Sequence, residues 1–180
     1  MSIYFANLNG SHENMVRSHM DSEIQWDIER EALYLSSRLT TLGRKRWPEL
    51  LREAAQNQTV SWLENRLVSE GLLLSVKDDR RVPVNAAQML AEGEFNRFYC
   101  RGVCLEAIRL GKRVSVYRGK NVADPRWRSQ ALLGTSMEPA DVLKDLRAGI
   151  GQDLIRGVPG GPNSGISLKL AEDLALDGVS

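Results

Sequence analysis

Residues 94–110 read EFNRFYCRGVCLEAIRL. Phe95, Phe98, Tyr99, Val103, Leu105, Ile108 and Leu110 make this the most hydrophobic helical stretch of the chain, and Gly111 follows as its stop. A helix so apolar belongs at the centre of a core, so the fold is read outward from it. On its N-terminal side Asn85 can cap AAQMLAE (86–92), and Gly93 is expected to separate that helix from the next. On its C-terminal side RVSVYR (113–118) alternates Val114 and Val116 with polar neighbours, the period of a half-buried strand. NVADPRWRSQALLG (121–134) reads as a loop punctuated by Pro125 and Gly134. Pro139 then opens a helix through Val142, Leu143 and Leu146 to Gly149.

Farther out the patterns weaken. GVPGGPNSG (157–165) is too rich in Gly and Pro for a regular element. ISLKL (166–170) alternates as a short strand able to join a sheet edge, and the tail from Leu170 is weakly helical. Upstream, LLLSVKDDRRVPV (72–84) is either a strand and turn or an extended linker held by Pro83. Ser61 and Glu64 form a capping-box pattern before Leu63, Leu67 and Val68, with Gly71 as the stop. Pro48 suits the first position of a helix carrying Leu50, Leu51, Ala54 and Ala55.

Met20, Ile24, Ile28, Leu35, Leu39 and Leu42 share one helical face, with Glu31 interrupting the stripe and Gly43 as its cap. One helix over 13–42 would be about 45 Å long and would cross or project from the domain. A break near Ser18–Ser22 would give two ordinary helices instead. The expected fold is therefore α+β and mainly helical. It has a helical N-terminal part (1–75), an α+β core (84–150) with a small sheet, and an extended Gly/Pro-rich C-terminal arm (151–180), within one compact unit.

The chain has 180 residues, 24 Lys+Arg against 23 Asp+Glu, and a net charge of +1. No apolar run suggests a membrane span, and the first residues lack a signal-peptide pattern. Two cysteines make no disulfide framework and fit a reducing, intracellular setting. Cys100 and Cys104 share a helical face, but His12 and His19 are seven apart, outside the usual spacing of a zinc His pair. His19 and Glu23, four apart, read more simply as a surface pair. Gly160 and Gly165 have the separation of a phosphate loop, yet Ile166 stands where the lysine is required. No Ser/His/acid set is credible, so no catalytic residue, metal or cofactor is expected.

Charge is unevenly distributed. Residues 13–31 carry six carboxylates against two arginines, and residues 109–128 carry seven cations against Asp124 alone. In that basic segment Arg113, Tyr117, Arg118, Lys120, Arg126, Trp127 and Arg128 are the candidate partner-binding residues. Arginines can meet carboxylates or phosphates, and Tyr117 or Trp127 could stack on a base. The plainer alternative is that the aromatics pack on the core and the arginines pair within the chain or with another copy.

The run AEGEFNRFYCRGVCLEAI, then VSVYRGK, DPRWRSQALLG and GVPGGPNSGISLKL, resembles small uncharacterised proteins encoded in bacterial, prophage and phage genomes, over roughly residues 84–170. The resemblance implies a bacterial or viral setting and attaches no activity or residue role. The expected function is a non-enzymatic structural or assembly protein working through protein–protein contacts in a virion or the bacterial cytoplasm. The alternative is a nucleic-acid-binding accessory or regulatory protein that uses the same basic segment.

Overall fold

In a computed structural model the decisive stretch is part of one longer helix, Ala86–Leu110. The structure describes residues 3–149, 158 and 164–172. Three other helices, Glu13–Glu29 (α1), Val60–Ser69 (α3) and Pro139–Ala148 (α6), lie along the Ala86–Leu110 helix (α4), and Thr41–Asn57 (α2) rests on α1 and α3. The fold is α+β and mainly helical, as expected. At 25 residues α4 spans about 37 Å. It is buried around nearly its whole circumference, polar Glu94, Asn96, Arg97, Arg101 and Glu106 included.

Gly93 does not divide α4. Its backbone stays helical, and a Cβ there would meet nothing within 4 Å. Gly102 has a different reason to lack a side chain: a Cβ would lie 2.8 Å from the Val16 carbonyl of α1, so the glycine lets the two helices close up. Gly111 ends α4 in the left-handed conformation, as expected.

The single helix over 13–42 is not formed, and α1 runs unbroken through Ser18–Ser22. It stops at Glu31, which takes a left-handed φ of 53° while the Ala32 amide donates to the Asp27 carbonyl at 2.8 Å. This is a Schellman stop with glutamate in the place glycine usually holds. Thr40 then caps α2 by accepting from the Gly43 amide at 2.9 Å. Gly43 therefore opens α2, and any Cβ there would collide with the Leu72 carbonyl. Of the proposed stripe Met20, Ile24 and Leu39 are buried, whereas Leu35 and Leu42 are 37% and 55% exposed.

Other boundaries shift for local reasons. Pro48 lies inside α2. Thr59, two residues before the expected cap, accepts from the Trp62 amide and opens α3, which closes at left-handed Gly71. The ambiguous stretch is a strand and turn. Val76–Lys77 (β1) pairs with Arg80–Arg81 (β2) across Asp78 and Asp79, both at positive φ, as a tight hairpin demands.

The second sheet runs β4–β3–β5, all antiparallel, from Val114–Arg118 (β3), Ser136–Met137 (β4) and Ile166–Leu170 (β5). Both strands read from sequence are present, while β4 was not anticipated. Residues 127–132, expected as loop, form a short helix (α5, Trp127–Leu132). The outer edge of β5 has no partner strand among the described residues, and side chains replace one. Asn7 Oδ1 accepts from the Leu170 amide, and Asn96 donates to the Ile166 carbonyl. Most of the Gly/Pro-rich loop and the weakly helical tail lie outside the described residues. Among those described, no helix is long and apolar enough to cross a membrane.

Candidate interaction surface

The basic segment divides into a bonded half and an open half. Arg113 donates to Ser136 Oγ at 2.8 Å and pairs with Glu138 at 3.2 Å, bracing β3 against β4. Arg118 reaches the Ser164 carbonyl at 3.4 Å. Lys120 is held by both carboxylate oxygens of Glu92 at 2.8 and 2.9 Å. Tyr117 is half-buried. Its hydroxyl donates to the Tyr4 carbonyl at 2.5 Å and accepts from the Ala6 amide at 3.0 Å, and burial pushes its pKa up. These four are committed to the fold.

Arg126, Trp127 and Arg128 are brought together at the exposed start of α5 (Trp127–Leu132). Pro125 precedes them, and α5 is fixed from its other end. Ser129 is buried beneath it and Leu132 packs on the core. Thr135 Oγ1 donates to the Leu132 carbonyl at 2.7 Å, and Gly134 and Thr135 exchange backbone hydrogen bonds with Val116. The helix is thus tied to β3, and its first turn points outward. Trp127 is 74% exposed, and the Arg128 guanidinium lies 5.5 Å from its ring centre. Arg126 and Arg128 make no ion pair among the described residues.

Three of the six carboxylates of the acidic segment 13–31, Asp21, Glu23 and Asp27, are spent internally. Asp21 is clamped by Arg52 at 2.7 and 3.0 Å, which lowers its pKa. Glu23 and Asp27 are buried around Arg101, whose side chain is inaccessible to water. Its Nε donates to Glu23 at 2.6 Å, and its terminal nitrogens donate to Asp27 at 2.7 and 2.9 Å. Arg147 of α6 binds the same Glu23 at 2.5 and 2.9 Å. Burial would raise the Glu23 carboxyl, but the two arginines overcome it and hold it below the usual carboxylate range. Trp26 lies against this network, with Arg30, Arg147 and Arg101 at 4.0, 5.0 and 5.7 Å.

Two further clusters escaped the sequence reading. Glu106, fully buried on α4, accepts two hydrogen bonds from Arg109 and lies 3.1 Å from His12 Nδ1. His19 Nε2 is 3.4 Å from its other oxygen without an aligned hydrogen bond. Arg109 above all, against the cost of burial and with help from the two imidazoles, brings the Glu106 pKa down to about 2. Nearer the start of α4, Glu94 and Arg97 are buried, each with one polar atom unpartnered, and burial raises Glu94 to about 7. Periodicity could not disclose these groups, because polar residues inside an apolar run read as its solvent face.

The thiols are poorly placed for chemistry. Burial pushes Cys100 up to about 12 and Cys104 well above its ordinary value, so both stay protonated at neutral pH. The histidines face Glu106, not the cysteines. Among the described residues no group of three His, Cys, Asp or Glu side chains could hold a metal ion. What the open surface can do is bind: an exposed aromatic with a guanidinium against its ring and a second arginine beside it in the chain suits an apolar pocket with carboxylates at its rim. Compared with protein-family models, with curated proteins and with solved structures, the chain finds no match in any of the three.

Proposed function

We propose that this is a non-enzymatic structural or assembly protein that works by docking the Arg126–Trp127–Arg128 face of α5 onto another protein chain, its own copy or a different one. The observation that supports this reading is Trp127, left 74% exposed on a helix whose other side is anchored. Trp and Arg are the residues that most often dominate protein interfaces. Burying an indole of this exposure would gain on the order of 4 kcal/mol before the costs of association. The setting we propose for such a role, a virion or the bacterial cytoplasm, is the one that the sequence resemblance of residues 84–170 implies.

Nucleic-acid binding is the weaker reading. With Arg113 and Lys120 already paired, Arg126 and Arg128 would neutralise about two phosphates, too few for strong sequence-independent binding. Light scattering on size-exclusion fractions at low and high salt, together with pull-down from the native source, tests the proposal. Trp127→Ala should weaken self- or partner association by about 2–4 kcal/mol with unchanged thermal stability. A monomer at every salt concentration that retains no partner would overturn it.

A further inference from the structure

We propose that the groove at the N-terminal end of α4 is a second docking surface, built to receive an apolar segment of a partner protein that carries a carboxylate beside its apolar side chains. The groove encloses about 220 Å³. Its lining includes Leu67 and Val68 of α3, Leu74, Val82 and Val84 from the segment that joins α3 to α4, and Ala87 of α4. Nothing in the wall is charged. Val68 is 65% exposed, Val84 is fully exposed, and Val76 of the adjoining hairpin is exposed as well. Each buried valine would contribute about 1.5–2 kcal/mol to a contact.

The electrostatics specify what enters. The groove meets the start of a 25-residue helix whose cap residue, Asn85, makes no side-chain hydrogen bond and whose first turn holds no acidic residue. The positive end of the α4 dipole is thus left without an anion. Arg80 and Arg81 lead directly into the wall at Val82 and make no ion pair among the described residues. Of the two aspartates in the hairpin turn, Asp78 is offset by Lys77 at 3.7 Å, which leaves Asp79 against two arginines. A partner segment that is apolar alone would waste this field, and one bearing a carboxylate would use it. The same field argues against the Trp127 helix of a second copy as occupant, because Arg126 and Arg128 would be brought against Arg80 and Arg81. The groove and the α5 face therefore act as separate surfaces with different partners.

Selection of a displayed random short-peptide library on the intact protein tests the inference. Enriched sequences should pair Leu, Ile or Phe with a neighbouring Asp or Glu. Synthetic versions should bind about tenfold more weakly, or worse, to Val84→Asp and to the double variant Arg80→Ser/Arg81→Ser. These positions are exposed, so thermal unfolding should be unchanged in both, and Trp127→Ala should bind the peptides as the wild type does. Failure to enrich any sequence, enriched sequences without carboxylates, or binding indifferent to the groove substitutions would overturn the proposal. So would a dimer, seen by light scattering, that Val84→Asp dissolves, since that would make a second copy the occupant.

Discussion

Arg101 carries its charge where no water reaches it, and it survives there because every face of the guanidinium has a partner. Glu23 and Asp27 take its N–H groups, its guanidinium carbon lies over the Phe98 ring at 4.8 Å from the ring centre, and Arg147 neutralises what remains on Glu23. Removing one partner from such a set costs far more than the set is worth, because the remainder is left buried and uncompensated. Arg101→Met should therefore destabilise the protein by about 3–5 kcal/mol in urea titrations. Arg101→Lys keeps the charge without the planar fork and should recover only part of the loss. An unchanged midpoint in Arg101→Met would show that the network contributes nothing. No rule of spacing could have revealed it: Arg101 is 78 residues from Glu23, and Glu23 is 124 from Arg147. For the same reason the opposed acidic and basic segments were legible as composition, but their division into bonded and open groups was not. Arg126, Trp127 and Arg128 remain open because no carboxylate among the described residues reaches them.

At the scale of the element, two glycines in one helix make opposite predictions. Gly93 occupies an ordinary helical position with space around it, so Gly93→Ala should raise stability by about 1 kcal/mol, or a few degrees in Tm. Gly102 touches the α1 backbone, and Gly102→Ala should lower stability by forcing the two helices apart. Calorimetry of the two variants distinguishes a packing glycine from a merely tolerated one. The same contrast shows where the sequence was readable. Strands β3 and β5, the ends of α3 and α4, and the helix after Pro139 followed from alternation, left-handed glycines and a proline at its favoured position. The stop after α1 was hidden because a glutamate, not a glycine, adopts the left-handed turn. Helix α5 was hidden because six residues give too little periodicity to register, and its stability comes from the anchoring at Ser129, Leu132 and Thr135.

For the molecule as a whole, buried carboxylates pull the pH dependence of stability in two directions. Glu106, with its folded pKa near 2, contributes stability that is fully present above the unfolded value of 4.5 and lost as pH falls toward 2. Glu94 works the other way. Its folded pKa of about 7 means that the native state holds a proton the unfolded chain has released, so its contribution is full below 4.5 and lost as pH rises to about 7. Glu94→Gln should remove that decline, gaining on the wild type between pH 5 and pH 7 in urea midpoints measured at each pH. Parallel profiles for the two proteins would show that Glu94 is not the group responsible.

The strip from Tyr4 to Asn7 is fastened by groups far along the chain: Tyr4 to Gly119 and Tyr117, Phe5 to the rings of Phe95 and Tyr99, Asn7 to Leu170. A ribosome makes this strip before its fasteners, and the last of them more than 160 residues later. During synthesis Phe5 therefore stays uncovered until α4 emerges, and Asn7 has no edge to close until β5 follows. The Tyr4–Asn7 strip is therefore among the last pieces to lock, and the native sheet cannot be sealed before residue 170 has been made.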